Sequence, residues 1–269
     1  MNRWFLVYPF ILILSYGQAA MAFDHQHTAW DQLLKEHVVW IGDGHASRVN
    51  YAGFQRDREQ LSAYLATLSA VERSEFDSWA SNERLAFLIN AYNAFTVELI
   101  LTRYPDLTSI KDTGSLLSSP WKKRFFQLLG KKRHLDDIEH GLIREKGVYD
   151  EPRIHFAVVC AAIGCPGLRH EAFVADRLDR QLEDSLVRFL SDKSRNRYNA
   201  DTGTLEVSKI FDWYKGDFSQ RDRGYTSLET FFGKYADLLA ESDTGKTNIR
   251  SGSVKIRYLD YDWTLNDLG

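Results

Sequence analysis

Cysteine is almost missing from this chain of 269 residues, which has two, and proline and methionine are scarce at five and two. Two thiols are too few for the disulfide framework that staples small secreted domains, or for a four-thiolate zinc site. An excess of positive charge is missing too. Thirty-four Lys and Arg stand against 37 Asp and Glu, a formal balance of −3, which gives no electrostatic case for a nucleic-acid partner. No internal repeat or low-complexity linker is present, which excludes solenoids and arrays. Beyond the apolar N-terminus, no segment reads as long and apolar enough to cross a membrane.

What is present begins with that N-terminus. Arg3 precedes an apolar stretch, Trp4 to Leu14, and small residues follow to Ala20-Met21-Ala22. A charged start, a short apolar core and an A-x-A end make a secretory signal peptide over residues 1–22, with cleavage expected before Phe23. The mature protein is then expected to be soluble and periplasmic or secreted, with no membrane association after cleavage. Loss of Arg3 moves its charge from −3 to −4. Residues 23–269 fit one large domain, and 13% aromatic residues with seven tryptophans indicate a substantial core.

Helical periodicity marks 51–71 through Phe54, Leu61, Tyr64, Leu65 and Leu68, and a second block covers 74–79. From Leu85 to Leu101 nearly every position is apolar, the mark of a helix buried on all sides. Asn90 and Asn93 fall within it and are expected to hold neighbouring loops, since buried amides need partners. A hairpin is expected to turn near Gly130 within a basic cluster, followed by a helix from Leu135. Ile154–Val159 reads as a buried strand, 171–191 as an amphipathic helix, 205–211 as an alternating strand, 227–239 as a helix and 254–258 as a last strand. The polar stretches 192–204 and 241–253 read as the least ordered. The sum is an α+β, helix-rich single domain with a small mixed or antiparallel sheet.

Chemistry concentrates between Arg153 and Arg169, which holds His155, Cys160 and Cys165. Three readings are open. An exported protein with two cysteines commonly pairs them, although so short a loop removes little chain entropy. Zinc could take His155, Cys160 and Cys165 with His170 or an acid as fourth ligand, but the spacing fits no common zinc pattern. A thiol nucleophile needs a base and a third group to orient it. His155 reaches Cys160 only if the chain bends near Val159, because residues five apart on a strand face opposite ways. Glu83 on the buried helix is the candidate orienting carboxylate by environment, with Asn90 next.

Residues 82–94 (NERLAFLINAYNA) and 155–166 (HFAVVCAAIGCP), with 135–140 (LDDIEH) and 210–214 (IFDWY) followed by Asp217-Phe218, resemble the family known as domain of unknown function 547. The resemblance covers about residues 70–220. The family's usual glycine after the first cysteine is Ala161 here. The resemblance implies a papain-like or transglutaminase-like fold and a Glu, His, Cys constellation, which falls on Glu83, His155 and Cys160.

The resulting expectation is an exported cysteine hydrolase or transferase of papain-like type, acting on a peptide or amide-containing small molecule. Cys160 attacks, His155 carries the proton and Glu83 orients the imidazole. Asn90 and backbone amides near Cys160 hold the oxyanion, Cys165 is a redox partner or neighbour, and Trp213, Tyr214 and Trp121 wall the cleft. No metal or cofactor is required. The alternatives are a non-catalytic scaffold with a structural Cys160–Cys165 disulfide, or a thiol-disulfide redox protein.

Overall fold

A computed structural model of the protein describes residues 22–114, 119–219 and 225–269. The expected signal peptide therefore lies, but for Ala22, outside the described residues. The architecture is organised around the helix Ser81–Leu101, whose positions from Leu85 onward are buried except Glu98. Its length and apolar composition would allow it to cross a membrane, contrary to the reading that no segment beyond the leader could. It is instead the core of the domain, with 89% of its most apolar window buried. Each large side chain such as Phe87, Leu88 or Ile89 contributes roughly 1.5–3 kcal/mol by leaving water. The half-buried Glu98 is held by Arg58 at 2.6 Å.

Helices Thr28–His37, Tyr51–Arg56 and Arg58–Ala70 pack on one side of this axis. The expected single helix over 51–71 is thus two, divided at Asp57. The hairpin around Gly130 forms as expected, pairing Phe126–Leu128 with Lys131–Arg133, and Phe126 stacks on Phe95 of the central helix. A second apolar cluster gathers Phe156, Phe189, Phe211, Phe218, Phe231 and Phe232 beneath the helices Leu178–Ser191 and Leu228–Lys234. A three-stranded sheet flanks it: Arg197–Asn199 is antiparallel to Thr204–Val207, which is parallel to Lys255–Tyr258. Helix-rich α+β architecture with small antiparallel and mixed sheets is what the periodicities indicated.

Several local readings are corrected. Pro152–Phe156 is a 3-10 helix, not a strand; Pro152 opens it and the Glu151 carboxylate accepts from the Arg153 amide. Its apolar run is buried without a strand partner, because side chains take over the ladder's work. Asn93 donates to the Ala157 carbonyl and accepts from the Val159 amide, each at 2.9 Å. Residues 171–177 are irregular, and the helix begins only at Leu178. The backbone there is satisfied by Asn90 through Phe173 and by Gln181 through Ala172 and Val174. The strand expected over 205–211 stops at Val207, where Ser208 accepts from Ile210 and a helical turn, Ile210–Trp213, begins. The two polar stretches expected to lack order instead supply the 197–199 strand and the helix Asp243–Arg250, the latter capped by Ser242.

Candidate active site

A cavity of about 280 Å³ brings together in its walls His155, Cys160, Cys165, Trp213 and Tyr214 with Tyr92, Trp121, Asp136, Glu139, Tyr261 and Trp263. Separate stretches of the chain meet here, among them the central helix through Tyr92 and the helix from Leu135 through Asp136 and Glu139. The 3-10 helix supplies His155, the loop after it the cysteines, the turn after Ile210 the ring pair Trp213 and Tyr214, and the C-terminal segment Tyr261 and Trp263.

Cys160 and Cys165 are joined as a disulfide, with alpha carbons 6.2 Å apart. Cys165 is buried and Cys160 half-buried, and the Tyr261 hydroxyl lies 3.1 Å from the Cys160 sulfur and 3.0 Å from that of Cys165. The turn from Cys160 to Cys165 is held from outside by the C-terminal segment. Ile163 donates to the Thr264 carbonyl, Gly164 to that of Asp262, and Asn266 to that of Ala161. Gly164 is needed for this approach, since a β-carbon there would come within 3.0 Å of the Asp262 carbonyl and the Tyr261 ring. Ala161 adopts φ 60°, the left-handed region in which a side chain is disfavoured. That conformation accounts for glycine as the residue expected after the first cysteine.

His155 is buried, stacked on Tyr214 with ring centroids 3.8 Å apart, and its Nε2 lies 2.7 Å from Asp217 Oδ2. A carboxylate only accepts, so Nε2 carries the proton and Nδ1 keeps its lone pair. Burial pushes the imidazole pKa down, and the Asp217 hydrogen bond opposes this without reversing it, so the ring is neutral near pH 7. Burial raises the Asp217 carboxyl, but hydrogen bonds from His155 and Arg144 outweigh it and hold the group well below the ordinary carboxylate range. Arg144 grips Asp217 through Nε at 2.6 Å and Nη2 at 3.1 Å. Glu139, also buried, accepts from the Tyr214 hydroxyl at 2.7 Å.

The carboxylate that meets His155 is therefore Asp217, not Glu83. Glu83 sits in the first turn of the central helix, where its carboxylate accepts from the Ala80 amide at 2.8 Å, a capping role remote from the cavity walls. Asn90 is likewise committed elsewhere: both ends of its amide bind the Phe173 backbone, and it does not line the cavity. The Cys160 amide, expected to face an oxyanion, points at the Cys165 sulfur at 3.0 Å. His170, the fourth ligand of the zinc reading, accepts from Trp40 and is not a wall residue. Tyr261, Trp263, Asp136 and Glu139 were missed as site residues. The first two stand in an aromatic-acidic run, Asp260-Tyr261-Asp262-Trp263, and the acids in the helix start within the LDDIEH motif.

Residues 76–190, less than half of the chain, match the family described as Protein of unknown function, DUF547. That stretch contains His155, both cysteines, Asp136 and Glu139, whereas Asp217, Trp213, Tyr261 and Trp263 lie beyond it. No curated protein and no solved structure matches the chain.

Proposed function

We propose that the cavity is the active site of an exported thiol-dependent hydrolase or transferase of papain-like or transglutaminase-like type, acting on an amide or peptide bond. One observation carries the reading: a neutral imidazole, fixed through Nε2 by a carboxylate, lines the same cavity as Cys160. A base for a nearby thiol needs that arrangement, with one ring nitrogen held and the other free to take a proton.

The chemistry requires the disulfide to be opened first. An external dithiol supplies two electrons and two protons, is itself oxidised to a disulfide, and leaves two protein thiols. His155 Nδ1 then takes the Cys160 proton and the thiolate attacks the carbonyl carbon. The C–N bond breaks to give a thioester, the amine departs with the proton from His155, and water or a second amine releases the acyl group. Asp217 holds the imidazolium while it exists.

A redox reading of the same pair has its own support, because the disulfide forms part of the cavity wall and the Tyr261 hydroxyl touches both sulfurs. Cys165→Ser separates the readings. As a hydrolase, the variant labels rapidly at Cys160 with iodoacetamide and cleaves acyl-amide substrates without added reductant, while Cys160→Ala does neither. As a thiol-disulfide exchanger, both variants lose exchange with glutathione and neither cleaves amides. Slow labelling of Cys160 at the rate of an ordinary thiol, in both Cys165→Ser and reduced wild type, overturns both and leaves the bridge a structural crosslink.

A further inference from the structure

The cavity's walls carry an uneven chemistry. Two carboxylates, Asp136 and Glu139, line it, and among the described residues no lysine or arginine does. Glu139 is engaged with Tyr214, but among the described residues Asp136 has nothing closer than a 4.0 Å approach from His140 Nε2 at the exposed rim. Burial raises the Asp136 carboxyl, which is the cost of holding this acid where water is scarce. Of the cations nearby, Lys122 is exposed, lies outside the walls and acts on the Asp136 charge from there, while two others are engaged elsewhere. Arg144 is bound to Asp217 and His140, and Lys111, which is not a wall residue, stacks on Trp263 at 3.8 Å from the ring centroid.

The same walls carry an aromatic cluster. Tyr261 and Trp263 have centroids 4.5 Å apart, Trp213 and Tyr261 4.9 Å, and Trp121 and Trp263 5.7 Å. Trp213 is 46% exposed, unusual for so large an apolar side chain, and it stands in the cavity wall. Aromatic faces together with carboxylates favour an organic cation: the rings attract it through their quadrupoles, and the acids supply the counter-charge. The aliphatic stem of such a group also gains from lying along indole rings.

We propose that this cavity binds substrates through a positively charged amine or guanidinium on an aliphatic arm, its charge toward Asp136 and Glu139 and its stem against Trp213, Tyr261 and Trp263. This rests on the reading of the cavity as the site of the thiol reaction, and it narrows the substrate class to amides or peptides bearing a basic side chain.

The test is binding, measured by tryptophan fluorescence and calorimetry on the oxidised wild-type protein, so that no thiol chemistry is involved. The probes are Nα-acetyl-lysine methylamide, its uncharged norleucine counterpart and the corresponding glutamate compound. The lysine probe is expected to bind at least about tenfold tighter than the norleucine one, with the glutamate probe weakest. Asp136→Asn should bring the lysine affinity to within about threefold of the norleucine value, and Trp213→Ala, a change at an exposed position, should weaken both probes. Equal or tighter binding of the norleucine or glutamate probe, or no saturable lysine binding at millimolar concentrations, overturns the proposal. Lysine-selective binding without amide cleavage after reduction refutes the thiol reaction and leaves the cation site standing. Cleavage without preference for a basic side chain does the reverse.

Discussion

His155 and Asp217, 62 residues apart, meet at 2.7 Å, and the same carboxylate is gripped by Arg144. The pair therefore carries both signs of charge on one side of a neutral imidazole. If His155 takes a proton from Cys160, Asp217 is the counter-charge that makes the imidazolium affordable, while Arg144 works against it.

Asp217→Asn keeps the shape and removes the charge, leaving Arg144 to repel the imidazolium. Amide turnover by the reduced protein is expected to fall at least about 100-fold. The His155 pKa, followed through its ring protons by NMR, should move further down than in the wild type. Turnover within about threefold of wild type would show that Asp217 has no part in the reaction.

Ala161 tests the left-handed turn. Placing a side chain there costs roughly 1–2 kcal/mol, whereas its buried methyl returns only about 0.8 kcal/mol. Ala161→Gly is thus expected to be neutral or stabilising by up to about 1 kcal/mol, even though glycine raises the entropy of the unfolded chain. Ala161→Val, with a branched side chain at positive φ, should destabilise by at least about 2 kcal/mol. Urea unfolding of both variants decides. A glycine variant less stable than wild type by more than about 1 kcal/mol contradicts the conformation.

Acid should destabilise the fold through a histidine far from the cavity. Burial lowers the His27 pKa from its ordinary 6.5 to about 3, while its Nδ1 pairs with the Tyr64 hydroxyl at 2.7 Å. Between those values the unfolded chain binds a proton that the folded one refuses, so stability rises with pH across the interval. The His27 contribution is complete above pH 6.5 and is lost as pH falls toward 3, amounting to about 3 kcal/mol by pH 4. His155, also depressed, adds loss in the same direction. Urea midpoints from pH 7 to 4 should fall, and His27→Gln should flatten the slope. A wild-type slope unchanged by His27→Gln shows that this ring does not govern it.

The elements legible in the sequence were those in which periodicity and burial agree. A helix apolar all round has only one place to go, so Leu85–Leu101 was read as the core, and its buried asparagines were read as loop anchors, as Asn90 and Asn93 are. His155 and the cysteines line one cavity and are legible together because they lie within one short segment. The misreadings have separate causes. A short apolar run such as Ile154–Val159 has the composition of a buried strand whether or not a partner strand exists, and here Asn93 stands in for one. Glu83 looked buried by its helix, but it occupies that helix's first turn, where a carboxylate is drawn to free amides. Asp217 and Tyr261 reach the site from 62 and 101 residues beyond His155 and Cys160, a distance over which a sequence without pairing information carries no signal.

The clamp that the C-terminal segment closes on the cysteine turn divides the site by origin. The cysteines, His155 and the two acids come from the stretch that matches the family, while most of the aromatic wall and Asp217 come from residues after 190. On the proposed reading, the sulfur, its base and the acids that face the substrate's charge come from one length of chain, and the rings along its stem with Asp217 come from another, the two joined by backbone hydrogen bonds around Gly164 and by side-chain bonds such as His155–Asp217. A C-terminal segment with other side chains on the same backbone would give the same sulfur chemistry a different clientele.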